Sequence, residues 1–151
     1  MDTATVTVTV KPAPNQLPVA NAGSGQIITL PVDSVILNGS ASRDPDGSIV
    51  SYTWKEISGP AQFTIQSPGA VTTRVNNLAA GTYVFSLTVK DNKGAVASSN
   101  VTVKVNAVPN KVPLANAGKD ITITLPASSV TLDGSASVDQ DGSIIKYQWT
   151  K

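Results

Sequence analysis

The chain has no cysteine and no histidine in 151 residues. The first absence rules out a disulfide framework and a thiolate metal site. The second removes the commonest general base and the commonest zinc ligand. Charged residues are scarce at 14%, and the net charge of +1 leaves no basic footprint for nucleic acid. No apolar run approaches the ~20 residues that span a bilayer, so membrane insertion is not expected. Met1 leads into a Thr/Val alternation rather than a charged, then apolar, then small-residue leader, so no signal peptide is read here. A piece of a larger secreted protein and a cytosolic protein both fit this composition. Aromatic residues are few as well: two Trp, three Tyr and two Phe.

What is plentiful is Thr, Val, Ser, Gly and Pro, a mixture that favours strands and turns over helices. No window carries apolar residues at helical spacing without an intervening Gly or Pro. The sequence predicts an all-β chain. It also repeats at an offset of 95 residues. Asn21-Ala22-Gly23 returns as Asn116-Ala117-Gly118, Leu30-Pro31 as Leu125-Pro126, and Gly39-Ser40 as Gly134-Ser135. Asp44 and Asp46 fall on Asp139 and Asp141, and Tyr52 and Trp54 on Tyr147 and Trp149. Read backwards, the offset lays Val101-Thr102-Val103 on Val6-Thr7-Val8. The expected organisation is therefore the last strand of one repeat with its linker (1–14), a complete repeat (15–109) and the opening of a third (110–151). Boundaries that cut through repeats suggest a segment of a longer tandem array.

Strands within 15–109 follow from alternation. Ile28 and Leu30 are expected inward, then Val35 and Leu37, then Val50, Tyr52 and Trp54. Phe63 and Ile65 mark a further strand, and Val71, Thr73 and Val75 another. Tyr83, Phe85, Leu87 and Val89, then Val101, Val103 and Val105, complete the set. About seven short strands with turns every 8 to 12 residues predict an immunoglobulin-like β-sandwich. Trp54 occupies the place of a core tryptophan, and Tyr83 that of a tyrosine corner.

Three stretches together, PVANAG, SxDxDGxIxxYxW and GTYxFxLxVxDNKG, resemble the polycystic kidney disease (PKD) domain over 15–109 and into both flanking parts. Many bacterial members continue as WDFGDG after the tryptophan, whereas this chain has WKEISGP at 54–60. That variant is similar to PKD-like domains found in tandem on cell-surface proteins. The resemblance implies a non-catalytic extracellular or cell-surface spacer or adhesion module, whose partners are neighbouring PKD-like repeats. A carbohydrate-binding accessory module of a secreted polysaccharide-degrading enzyme, with polysaccharide as partner, is the alternative. It would need exposed aromatics that the sequence scarcely offers. No nucleophile–base pair is marked by any motif, so no enzyme is expected.

The candidate site is a set of carboxylates and amides: Asn15, Gln16, Asp44, Asp46 and Asp91. Asp44-Pro45-Asp46-Gly47 is strong turn chemistry in its own right. Calcium is the competing explanation, since it takes six to eight hard oxygens and the sandwich brings these segments to one pole. Some PKD domains are similar in binding calcium between the domain start and these loops. Lys90, Lys93 and Arg43 lie close enough in sequence to offer an ion-pair network instead. In the last segment Asn110, Asp139 and Asp141 recur, but no counterpart of Asp91 exists, so calcium binding there is expected to be poor. Two further features stand apart from this site. Asn38-Gly39-Ser40 and Asn100-Val101-Thr102 fit the glycosylation acceptor pattern. The Thr/Val-rich strand around Val6–Val10 and the segment 110–151 are expected either to fray or to associate with another copy.

Overall fold

Gly, Pro and Asx turns break the alternating runs at short intervals, and the chain folds into seven strands with no helix. The computed structural model describes residues 1–151. The strands are β1 (Gln26–Thr29), β2 (Val35–Asn38), β3 (Ile49–Ser58), β4 (Thr64–Ile65), β5 (Thr72–Asn76), β6 (Gly81–Asp91) and β7 (Val96–Asn106). One sheet has the order β1-β7-β6-β3 and the other β2-β5-β4. β1 runs parallel to β7, with Gln26 opposite Val103 and Thr29 opposite Asn106. The long β6–β7 hairpin is antiparallel, from Gly81 opposite Val105 to Lys90 opposite Val96. This is the expected immunoglobulin-like sandwich. The chain divides into two compact units, Met1–Val108 and Pro109–Lys151.

The inner faces are those that alternation picks out. Leu37, Val75, Tyr83, Phe85, Leu87, Val89 and Val103 are sealed from solvent, with Val35, Trp54, Val101 and Val105 beside them. Each such side chain contributes roughly 1.5 to 3 kcal/mol by leaving water. Two expected inward residues are not inward. Val50 faces solvent, because the register slips between Ile49/Asp91 and Ser51/Lys90. That bulge places two β3 residues opposite one on β6 and hands the inward role to Ile49. Val71 also lies outside the core, one residue ahead of β5, where its carbonyl accepts the Gly39 N–H at 2.9 Å.

Trp54 is anchored through both side chain and backbone. Its indole Nε1 donates to the Ala70 carbonyl at 3.0 Å, and its backbone N–H to the Pro68 carbonyl at 2.7 Å. Tyr83 is the expected corner: its hydroxyl accepts the Ala79 N–H at 2.9 Å and donates to the Gln62 carbonyl at 2.9 Å. Phe85 stacks on its ring at 5.9 Å. Tyr83→Phe keeps that packing but leaves a buried N–H and C=O unpaired. It is expected to destabilise the domain by about 1 to 3 kcal/mol, read as a lower urea midpoint with an unchanged slope.

Residues 1–17 form no strand, and the second unit has only one isolated bridge, Leu114 with Val138. There Trp149 is 46% exposed, against 2% for its counterpart Trp54. Alternation alone would have buried both. What buries Trp54 is β5–β7 and the loop before them, and the second unit has no equivalent of those elements.

Candidate functional site

The hairpin turn between β6 and β7 builds the site from its floor. Asp91 ends β6 and is 1% exposed. Its Oδ1 accepts two backbone N–H groups, from Lys93 and Ala95, both at 2.8 Å. Gly94 closes the turn with φ of +97°, a backbone state that side chains resist. With its inner oxygen locked by the turn, Asp91 offers Oδ2 outward, and the Asn15 side-chain amide donates to it at 2.8 Å.

The Asp44–Gly47 turn packs beside this hairpin. Asp46 Oδ1 accepts the backbone N–H of Gln16 at 3.2 Å. Its Oδ2 holds the Lys93 ammonium at 2.7 Å, in the chain's one ion pair. The Lys93 ammonium also reaches the Asp46 carbonyl at 3.4 Å. Asn92 ties hairpin to turn, with its Oδ1 accepting the Ser48 N–H at 3.1 Å and its own N–H donating to the Ser48 carbonyl at 2.9 Å. A Cβ at Gly47 would lie 2.6 Å from Asp44 Oδ2 and closer still to Asn92 Oδ1, so any side chain here would displace those two groups.

The five residues singled out in the sequence thus meet at one end of the sandwich. Asn15 and Gln16 precede the first strand, so the two contacts fasten the entering chain to the domain. Asn92 is the member that sequence reasoning overlooked, although it lies inside the DNKG stretch. Of the three cations near the aspartates in sequence, the fold selects Lys93, and neither Lys90 nor Arg43 forms an ion pair.

The charges respond accordingly. The Lys93 ammonium holds the Asp46 carboxyl below its ordinary 3.8, assisted by the Gln16 N–H. Burial would push Asp91 upward, but Asn15 and the N–H groups of Ala95, Lys93 and Gly94 outweigh it and hold the carboxyl low. Lys93 is raised above 10.5, first by its bond to Asp46, with Asp44 and Asp91 adding attraction.

Calcium fits this geometry only in part. No three acidic side chains gather as a ready-made metal site, and Lys93 already neutralises Asp46. Asp44 points the other way. Its Oδ1 accepts the Asp46 N–H at 3.4 Å, while its Oδ2 is buried with no hydrogen-bond partner. An orphaned buried carboxylate oxygen is costly, and a cation at that point would remove the cost. Asp44 Oδ2 would be its first ligand, with the remaining oxygens drawn from the turn and from water.

The second unit repeats the fastening with different partners. The Lys111 N–H donates to Asp141 Oδ2 at 2.9 Å, as Gln16 does to Asp46. Asp141 in turn donates its N–H to Asp139 Oδ1 at 3.3 Å, matching the pair Asp46 and Asp44. Asn110, with no Asp91 to meet, bonds the Lys111 carbonyl instead.

Comparison with known proteins agrees with the sandwich. The chain is 44% identical over 149 residues to the mouse dyslexia-associated protein KIAA0319-like protein, covering 99% of this chain and 14% of that protein. It is 42% identical over the same length to human dyslexia-associated protein KIAA0319, again spanning 14% of it. The solution structure of the PKD domain from KIAA 1837 protein superposes with a TM-score of 0.56 and 37% identity, covering 69% of this chain and all of that domain. The family described as K319L-like, PKD domain, matches residues 22–105 and 117–151. The chain belongs to this PKD-domain family.

Proposed function

We propose that the chain is a non-catalytic spacer from an extracellular or cell-surface protein, in which PKD domains follow one another in tandem. The aspartate pole acts as a latch on the segment entering each domain. One observation carries this reading: Asp46 and Asp91 spend hydrogen bonds on Gln16 and Asn15, and Asp141 does the same for Lys111. Pro12, Pro14 and Pro18 already restrict the 11–18 segment toward extended forms. Fixing its end to the sandwich removes much of the freedom that is left, which suits a module that transmits spacing. The 95-residue repeat, and the family's match to both 22–105 and 117–151, support the tandem arrangement; the chain spans about a seventh of its curated relatives. No helix of the chain is long and apolar enough to cross a membrane.

Calcium enters as a second ingredient because of the orphaned Asp44 oxygen. The test is thermal melting of the full chain in millimolar calcium and in chelator, with Asp44→Asn in parallel. A site of ~10⁻⁴ M affinity, usual for extracellular modules, stabilises by roughly 1 to 2 kcal/mol at millimolar calcium. A calcium-dependent rise that Asp44→Asn removes would make the latch an ion-stiffened one. Coincident melts would leave Lys93 as its only cation. The latch itself has a separate readout in hydrogen exchange. Fast exchange of the Gln16 amide, no slower than at the exposed Lys11, would sink it.

A further inference from the structure

We propose that the outer face of the β1-β7-β6-β3 sheet binds an extended acidic polysaccharide, bearing sulfate or carboxylate groups, through Lys55, Lys90 and Lys104. All three are exposed, and none joins the chain's one ion pair. Register puts them on a single surface. Lys55 lies opposite Ser86, and Ser86 opposite Asn100. Alternation keeps Lys90 on the face of Ser86 and Lys104 on that of Asn100, towards opposite ends of the β6–β7 ladder. Charge on these strands is sorted by face. The carboxylates of the four strands are Glu56 and Asp91 alone. Glu56 lies half-buried opposite Phe85, on the core side, and Asp91 is sealed from solvent. The outer face is left with cations and no anion, in a chain whose net charge is only +1.

Spacing and surroundings identify the occupant. At ~3.4 Å per residue, the steps from Ser86 to Lys90 and from Asn100 to Lys104 are each roughly 14 Å. That exceeds the ~8 Å over which physiological salt screens a charge, so each lysine meets its own charge on a long ligand. Between the lysines lie Ser86, Asn100 and the hydroxyls of Thr88 and Ser98, which bond each other at 2.8 Å. A glycan offers hydroxyls to this polar strip and charges to the lysines. Ammonium groups act on sulfate and carboxylate as point charges, without the fork that arginine brings to phosphates. The aromatic rings of these strands, Tyr52, Trp54, Tyr83 and Phe85, all pack in or against the core. A nucleic acid therefore has nothing here on which to stack its bases. Acidic membranes select denser clusters, of about four to eight basic residues. Recognition by charge also needs none of the exposed aromatics that a platform for neutral sugars requires, and it is independent of the latch at the aspartate pole.

The test is binding of the full chain to immobilised heparin across a salt series, with single-stranded DNA and phosphatidylserine vesicles in parallel. The wild type should bind heparin at low salt, more tightly than it binds the other two, and release as salt rises. Lys55→Gln, Lys90→Gln and Lys104→Gln combined should weaken heparin binding at least ~10-fold. The slope of log affinity against log salt should shrink by on the order of one per lysine. The control combines Lys11→Gln, Lys119→Gln and Lys146→Gln, which changes the net charge equally at exposed positions outside the sheet. Its heparin binding should match the wild type. Both variants should also melt with the wild type, since every change is at an exposed side chain. No retention of the wild type on heparin at low salt would overturn the proposal, as would equal losses in the two triple variants. Tighter binding to the DNA or to the vesicles than to heparin would overturn the assignment of a glycan.

Discussion

Trp54→Ala should lower the unfolding free energy of the first unit by about 3 to 5 kcal/mol, while Trp149→Ala should change it by no more than about 0.5 kcal/mol. The two residues occupy the same place in the repeat, yet their surroundings differ. Trp54 is 2% exposed, spans the gap between the sheets and bonds the Ala70 carbonyl through its indole. Its removal empties the space the ring fills beside Gly39 and the segment leading into β5. Ala70 would also lose the partner of its carbonyl. Trp149 stands half in solvent against Gly134 and has no facing sheet. Urea unfolding followed by circular dichroism would measure both, with the wild-type slope as the check that the denatured state is unchanged. Equal losses for the two substitutions would mean that the second unit is packed as tightly as the first.

Asp91→Ala should lower the melting temperature by on the order of 10 °C, the largest effect expected from any residue of the aspartate pole. Three donors lose their acceptor at once: the N–H groups of Lys93 and Ala95 and the amide of Asn15. Two of them are the bonds that shape the β6–β7 hairpin, so the loss extends into the longest ladder of the sandwich. Asp91→Asn keeps one acceptor oxygen and should lose less, but it presents an amide toward Asn15 and so weakens the latch. Acid should imitate Asp91→Ala. Asp46 and Asp91 both have folded pKa values below their ordinary 3.8. Their contribution to stability is complete above the unfolded value and disappears as pH falls through the lowered folded one. Lys93 acts at the other end, being raised above 10.5. Its contribution is complete below that value and is lost as pH rises through the folded one. Stability should therefore be level through neutral pH and fall below about pH 4. In Asp91→Ala the acid limb should be shallower, since one of the two responsible carboxylates is gone. An acid limb as steep as that of the wild type would assign the proton uptake elsewhere.

The sequence by itself determined the class of fold and the location of the pole. Period-two alternation of valines, leucines and aromatics reports which face meets the core, and it held for β2, β5, β6 and β7 because those strands are regular. The 95-residue repeat is enough to locate the aspartate turns, because a repeated turn needs the same side chains in the same order. Sequence could not show the bulge at Val50, since one unpaired residue in a ladder leaves no compositional mark. Nor could it choose among Arg43, Lys90 and Lys93. All three lie near an aspartate in sequence, but only Lys93 emerges from the hairpin turn aimed at Asp46, a direction set by Asp91 and Gly94 folding the backbone beneath it. Burial was the last thing that only tertiary structure decided. Trp54 and Trp149 are preceded by nearly the same residues, and one is core while the other is surface. Hydrophobic burial depends on what packs against a side chain, and for a β-strand that partner comes from far along the chain.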